Sequence, residues 1–383
     1  MITHFSLEDR HREQRDAVRE FCEEHVEPHV ETHEQNGTFP REIVERIGEA
    51  GFHGVPFSAE YGGAGGDYRS FAITIEELAR SWKLIAGTVS GASCLVGYPL
   101  AQFGSEWQKD EWLRGLATGQ TVAALSMTEP EAGSDAGSME TTAEKDGDEW
   151  VINGHKVWTT NGAVADFIVV VARTNDHDDY RGLSLIGIPN PLEQDGLEIV
   201  RDIPCMEGDA AVESEICYDD VRVPEEYLIG EEGRGFRYIM EGLDIGRIGT
   251  GAQGVGVAQA AFDASREFAD TREQFEQPIR EFQGISFKLA DMAMDVESAR
   301  LLTLHASAER DRGNRVTQEA AMAKTKATDV AMDVATEAVQ IHGSRGYSKD
   351  YPVERYMRVA KGMQIYEGTN EVNRIVISNQ LYE

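Results

Sequence analysis

Glu367 stands in "IYEGTNE" (365–371), with Tyr366 before it and Gly368 directly after. Thr369 and Asn370 are helix-capping types that open the amphipathic run "EVNRIVISNQL", so a helix is predicted to begin near one of them. A carboxylate just ahead of a helix has two readings. The helix dipole alone favours it by ~0.3–1 kcal/mol, whatever the protein does. The alternative is a general base in a tight, partly apolar pocket, with a glycine letting a ligand approach the backbone. Burial would then raise the carboxyl pKa toward a useful range.

Three other stretches mix hydroxyls, small residues and aromatics: "LSMTEPEAGSD" (125–135), "KVWTTNG" (156–162) and "QIHGSRGY" (340–347). Together, hydroxyls, backbone amides and an indole suit a planar heteroaromatic ligand with hydrogen-bonding edges. Singly, each is open: "TEP" reads equally as a turn, and Trp158 as a core residue.

The elements that must position these groups fall into three regions. Residues 1 to about 120 read as helices joined by loops, with helical spacing in "SLEDRHREQRDAVREFCEEHVEPHVETHEQ", "PREIVERIGEAGF" and "SFAITIEELARSW", and a glycine-rich connection at "EYGGAGGDY". From 121 to 227 the period shortens. "EWVINGHKVWTT" reads as a hairpin turning at Asn153-Gly154, and "DFIVVVART", "LSLIGIP", "LEIVRDI" and "SEICYDDVRVP" follow as short strands. With no helices between them, these predict an antiparallel sandwich or barrel and not a Rossmann unit. Residues 228–383 return to long helical patterns, as in a four-helix bundle. The fold class is thus α+β and multidomain.

The chain has 383 residues, with 36 Lys plus Arg against 68 Asp plus Glu, a formal charge of −32. The acid is dispersed and no basic run occurs, which argues against nucleic-acid binding. Such a surface fits a solvated protein in concentrated salt, and a salt-adapted cytoplasm is the expected setting. The four cysteines (Cys22, Cys94, Cys205, Cys217) form no CxxC, so reduced structural thiols are expected. The charged start "MITHFSLEDRHREQ" does not read as a signal peptide. "LIAGTVSGASCLVGYPLAQFGS" (84–105) has no charge, but its small residues predict a buried helix in a soluble protein, not a membrane span.

Two patterns read as decoys. "GTGAQG" (249–254) matches GxGxxG but sits between helical patterns, where glycines let helices pack closely. His25, His29 and His33 share a helical spacing with acidic residues interleaved, which reads as a solvated face and not a metal site. No GxSxG, Walker A or HExxH pattern occurs.

The ordered set "TEPEAGSD", "INGHKVWTTNG", "TREQFEQPI", "QIHGSRGYSKDYPVER" and "IYEGTNE" resembles the acyl-CoA dehydrogenase family over nearly the whole chain, and its C-terminal half is most similar to the short-chain, butyryl-type branch. The resemblance implies FAD, with its flavin between the β domain and the C-terminal bundle. Flavin contacts would fall on Leu125, Ser126, Met127, Thr128, Gly133 and Ser134, and on Trp158, Thr159 and Thr160. Within these, the Thr128 and Thr160 hydroxyls would lie nearest the ring. Adenosine-pyrophosphate contacts, partly from a neighbouring subunit, would be Arg272, Phe275 and Gln283, with Gln340, Ile341, His342, Gly343 and Ser344. Thr369, Asn370 and Glu371 would close the cofactor site. Acyl-CoA contacts would be Ser134, Asp244, Ile245, Gly246, Arg247 and Gly368.

The resemblance also gives Glu367 the role of base, removing a proton from Cα of the thioester while a hydride leaves Cβ for flavin N5. Its own backbone N–H and a ribityl hydroxyl of FAD would steady the enolate charge. Other branches carry the base where this chain has Gly246, which supports Glu367, and glutaryl-type members carry an Arg where it has Ala86, which disfavours a dicarboxylate substrate. Ser344 and Glu276 replace glycines of the family pattern. An electron-transfer flavoprotein as electron acceptor and a homotetramer are likewise implied. The rival readings are an oxidase that uses O₂ and a flavin-binding member without dehydrogenase activity; acyl chain length stays open.

Overall fold

The computed structural model describes residues 7–177 and 179–382. The first six residues of the charged N-terminus, read above as lacking a signal peptide, lie outside them. The helices are α1 (Asp9–His25), α2 (Glu27–Asn36), α3 (Arg41–Glu49), α4 (Tyr68–Ser81), α5 (Lys83–Gly91), α6 (Tyr98–Phe103), α7 (Glu106–Gln108), α8 (Arg114–Ala117), α9 (Gly235–Thr271), α10 (Gln283–Asp311), α11 (Thr317–His342), α12 (Val353–Met363) and α13 (Asn370–Gln380). The strands are β1 (Ala123–Ser126), β2 (Thr142–Asp146), β3 (Glu149–Thr160), β4 (Phe167–Arg173), β5 (Leu183–Pro189), β6 (Leu197–Asp202), β7 (Glu213–Pro224), β8 (Glu273–Gln274) and β9 (Gln277–Pro278). Backbone contacts divide the chain into two compact units: one holds the chain up to Val30, Asp67–Gly87 and Arg247 onward, the other Glu31–Gly66 and Thr88–Gly246.

The first unit is helical. Val255, Ala258 and Ala261 of α9, Val296 and Ala299 of α10, and Ala327, Ala331, Ala335 and Ala338 of α11 bury into one core. Such small side chains let helix axes approach closely. The "GTGAQG" run is helical throughout, and its glycines mark contact points. A Cβ added at Gly254 would lie 2.8 Å from the Ala327 backbone, and one at Gly251 3.1 Å from Thr303 Oγ1. His25 and His29 flank the end of α1, with Pro28 early in α2; no cluster of metal-ligating side chains occurs among the described residues.

The second unit is built on a seven-stranded sheet in the order β1-β4-β2-β3-β7-β6, with β5 also pairing β4. Most pairings are antiparallel, but β1 and β2 both run parallel to β4, which departs from the all-antiparallel expectation. β4 is buried on both faces. Ile168, Val170 and Ala172 join a core with Trp150 and Ile216, and Phe167, Val169 and Val171 one with Trp112 and Leu100. That explains its unbroken apolar run "FIVVVA". The uncharged 84–105 stretch is helical as far as Phe103. Lys83–Phe103 is long and apolar enough to cross a membrane, yet 78% of its apolar window is buried within the protein.

The structure corrects one local reading. No turn forms at Asn153-Gly154; β3 runs straight through both residues, with an irregularity between Ile152 and Gly154. Neither has a positive φ. Asn153 instead exchanges hydrogen bonds with Asp220, donating from Nδ2 to Oδ1 at 2.9 Å and accepting the Asp220 N–H at 2.8 Å. Gly154 is needed for close approach, because an added Cβ would sit 2.2 Å from Thr141 Oγ1. The β2–β3 hairpin turns earlier, at Gly147 (φ +67°), between the paired residues Asp146 and Glu149.

Candidate functional site

α13 begins as its sequence predicts, with the Thr369 hydroxyl capping it by accepting the Val372 N–H at 3.2 Å. Immediately before the cap, Glu367 (φ +53°) and Gly368 (φ +86°) both occupy the left-handed region. For a glutamate this conformation costs on the order of 1–2 kcal/mol, and such strain persists only where surrounding contacts enforce it. The glycine answers to conformation more than to space: a Cβ at Gly368 would make only ordinary contacts, the nearest 3.4 Å from Asn373 Nδ2.

The contacts that enforce the turn are polar and buried. The Gly368 carbonyl oxygen accepts from Lys324 Nζ and from Asn373 Nδ2, each at 2.8 Å. Asn370 is buried; it accepts from Lys324 Nζ at 2.8 Å and donates to Asp329 Oδ1 at 2.7 Å. Its side chain is thus engaged inside the unit. Asp329 also accepts from Gln364 at 2.7 Å and Arg374 at 2.8 Å.

Glu367 as a residue keeps partial access to solvent, but its Oε2 is enclosed and has no hydrogen-bond partner. Burial pushes the carboxyl above its ordinary pKa, against the opposing influence of the Thr250 hydroxyl and the cations Lys324, Arg247 and Lys83. Thr250 is near enough to favour the anion without completing a hydrogen bond to Oε2. Tyr366 is fixed separately, its hydroxyl donating to Gln253 Oε1 at 3.1 Å with Lys83 Nζ 5.0 Å from its ring centre. An enclosed carboxyl with a free acceptor atom and a raised pKa is suited to accepting a proton.

In the second unit the loop after β1 and the end of β3 come together. Lys156, wholly buried, donates to the Met127 carbonyl and to Glu129 Oε1, both at 2.8 Å. Glu129 also accepts the backbone N–H groups of Glu140 at 2.7 Å and Thr141 at 2.9 Å. Burial pulls the Lys156 pKa down to about 8 against the pull of Glu129. The Val157 N–H donates to the Thr128 carbonyl at 2.9 Å. Ser126 and Thr159 turn inward and share a hydrogen bond of 3.1 Å, so their hydroxyls serve the core. Thr160 Oγ1 donates to the Glu213 carboxylate at 3.0 Å.

Trp158 is held out of the sheet. Its φ is +58°, within the register shift between Lys156 and Thr159, and the residue is 52% exposed. Leu125, Met127 and Thr128 are half-buried beside the loop, while Gly133 and Ser134 are exposed. An indole presented on strained backbone, next to a loop pinned by a buried ion pair, fits the face of a flavin ring. On α9, Asp244 is half-buried and Ile245, Gly246 and Arg247 are buried.

The remaining predicted cofactor residues lie in the first unit. Arg272 directly follows α9 and leads into a hairpin whose two-residue loop, Phe275 and Glu276, has positive φ at both positions (+53° and +66°). Phe275 is 90% exposed, and Gln283 begins α10 in an exposed position. Gln340, Gly343 and Ser344 are exposed and Ile341 is buried. Buried His342 stacks on Phe268 with ring centres 4.2 Å apart. Gly343 has φ +62°, and an added Cβ would meet nothing within 4 Å, so its backbone is open to a ligand.

Lys324, Asp329, Asn373, Lys156 and Glu129 were not singled out from sequence. A signal existed for Lys324, which lies on the same face of its helix as buried Ala320, Ala327 and Ala331, where a charge is out of place. The Lys156–Glu129 pair, far apart in sequence, had none.

The acyl-CoA dehydrogenase N-terminal domain matches residues 8–120, the middle domain 124–221 and the C-terminal domain 233–382. The chain belongs to the acyl-CoA dehydrogenase family, a family of flavin enzymes. It is 41% identical to a short-chain specific acyl-CoA dehydrogenase of Clostridium acetobutylicum, over 96% of this chain and 97% of that one. The solved structure of butyryl-CoA dehydrogenase from Megasphaera elsdenii superposes with a TM-score of 0.95 at 39% identity, over 99% of each chain. A caffeyl-CoA reductase–Etf complex subunit of Acetobacterium woodii is 39% identical over 91% of each chain. The helical, β and helical regions read from the sequence have the architecture of this family.

Proposed function

We propose that the protein dehydrogenates an acyl-CoA thioester to the trans-2-enoyl-CoA, with Glu367 taking the proton from Cα. The observation that carries this is the Glu367 carboxyl, enclosed, with Oε2 unpartnered and its pKa raised. A raised pKa makes the carboxylate a stronger proton acceptor, while the neighbouring cations oppose that rise. The left-handed turn at Glu367 and Gly368 fixes the direction of approach, which a reaction at one C–H bond requires.

FAD is the cofactor in this reading, and when bound it supplies the hydride acceptor for the Cβ–H. Trp158, Leu125, Met127, Thr128 and Thr160 would hold the flavin end. Arg272, Phe275, Gln283 and Gln340 to Ser344 would hold the adenosine pyrophosphate. Short-chain substrates are favoured by the likeness to short-chain and butyryl-CoA dehydrogenases. Ala86, fully buried, offers no charge to a distal carboxylate. An electron-transfer flavoprotein is the proposed electron acceptor, in line with the relative named as an Etf complex subunit. Reoxidation of the reduced protein by such a flavoprotein, without peroxide, separates this from an oxidase.

A homotetramer is part of the proposal. Phe287, Met294 and Leu301 lie seven residues apart on α10 and are 61%, 65% and 42% exposed, a stripe suited to covering by another copy of the chain. The central test is Glu367→Gln. That variant should hold flavin and lose bleaching by acyl-CoA by about 10²–10⁴-fold, the usual worth of a general base. Unchanged bleaching would remove Glu367 from the mechanism.

A further inference from the structure

Lys324 is wholly buried in α11, among Ala320, Ala321, Ala323 and Ala327. A buried ammonium is costly unless hydrogen-bonded, and this one spends its donors on the segment that carries Glu367. It reaches the Gly368 carbonyl oxygen and Asn370 Oδ1, both at 2.8 Å. Asn370 is itself oriented by Thr328 and Asp329, and the Gly368 carbonyl is shared with Asn373. The lysine therefore ties its helix to the C-terminal side of the strained turn, at Gly368 and Asn370.

We propose that Lys324 is a positioning residue for the dehydrogenation: through Gly368 and Asn370 it holds the left-handed Glu367–Gly368 pair, and its ammonium sets the electrostatic surroundings in which Glu367 exchanges its proton. This rests on Glu367 being the base. Glu367 faces Lys324 from α11, Arg247 and Thr250 from α9 and Lys83 from α5. Lys324 faces Glu367, Arg247, Asp329 and Glu371. Burial lowers Lys324 to about 8, with the Glu367 charge the first influence opposing that fall, so the ammonium is charged at neutral pH. A neutral donor would satisfy the two acceptors but not this charge, which separates the two roles experimentally.

The test uses flavin-loaded protein and anaerobic mixing with butyryl-CoA across pH, reading the rate of flavin bleaching. Lys324→Gln keeps a donor and removes the charge; Lys324→Met removes both. In Lys324→Gln the acid limb should move to higher pH by about one unit, as removal of a neighbouring cation does, with the rate largely recovered above the new midpoint. An unmoved midpoint, with any loss of rate equal at every pH, would make Lys324 a structural support only and overturn the proposal. Should Lys324→Met fail to retain flavin, Lys324→Gln alone decides. Glu367→Gln is run alongside. If it still bleaches, the base assignment fails; if it is inactive while the Lys324→Gln midpoint stays put, only the Lys324 proposal fails.

Discussion

Glu367 combines three costs at one position: a left-handed backbone, an enclosed carboxyl and an acceptor atom without a partner. Their coincidence favours a chemical role over simple helix capping, since capping requires none of them. The raised pKa has a consequence for stability. Between its unfolded value near 4.5 and its higher folded value, the native state holds the Glu367 proton more tightly than the unfolded chain, so this residue's contribution falls as pH rises through that window. Glu367→Gln never ionises. It should therefore melt at a higher temperature than the unmodified protein at neutral pH, with the difference vanishing as pH approaches 4.5. Thermal melts of the pair at several pH values check this, and a variant less stable at neutral pH would contradict the burial argument. The carboxylate, its glycine and its helix cap were legible because they are adjacent in sequence. Lys324 itself could have been noticed as a charge on a buried alanine face, but its role was not legible, because its partners lie more than forty residues away.

Among the elements, strands β4 to β7 and the long helices followed from apolar run length and period, which report burial directly. The hairpin was misplaced for a definable reason. Asn-Gly favours a turn by permitting positive φ, but Gly154 is spent on contact with Thr141 and its φ is ordinary. A turn with positive φ at both loop positions forms instead at Phe275 and Glu276, two residue types that announce no such turn. By the resemblance to the family pattern, a glycine is expected at position 276. Glu276→Gly should stabilise the protein by about 1 kcal/mol, by relieving left-handed strain at the second loop position. Denaturant unfolding measures the change, and no gain or a loss would mean that Glu276 makes compensating contacts. The β3 irregularity that exposes Trp158 carried no sequence signal either, because alternation alone would have placed Trp158 on the face of Lys156.

At the scale of the molecule, three regions were legible from the change of hydrophobic period, and the family matches fall on the same helical, β and helical regions. The formal charge of −32 belongs to this scale too. Self-repulsion of that size is relieved by screening, so light scattering should find four copies in concentrated KCl, and the melting temperature should fall as salt is withdrawn. A smaller assembly, or a melting point indifferent to salt, would count against the tetramer and the salt adaptation respectively. The central claim is tested most directly by anaerobic titration of the purified yellow protein and its Glu367→Gln variant with a panel of acyl-CoAs, following the visible flavin band. Bleaching of the unmodified protein by short-chain acyl-CoAs and a silent variant is the predicted result. A flavin that no acyl-CoA bleaches, or a variant that bleaches as fast as its parent, would contradict it.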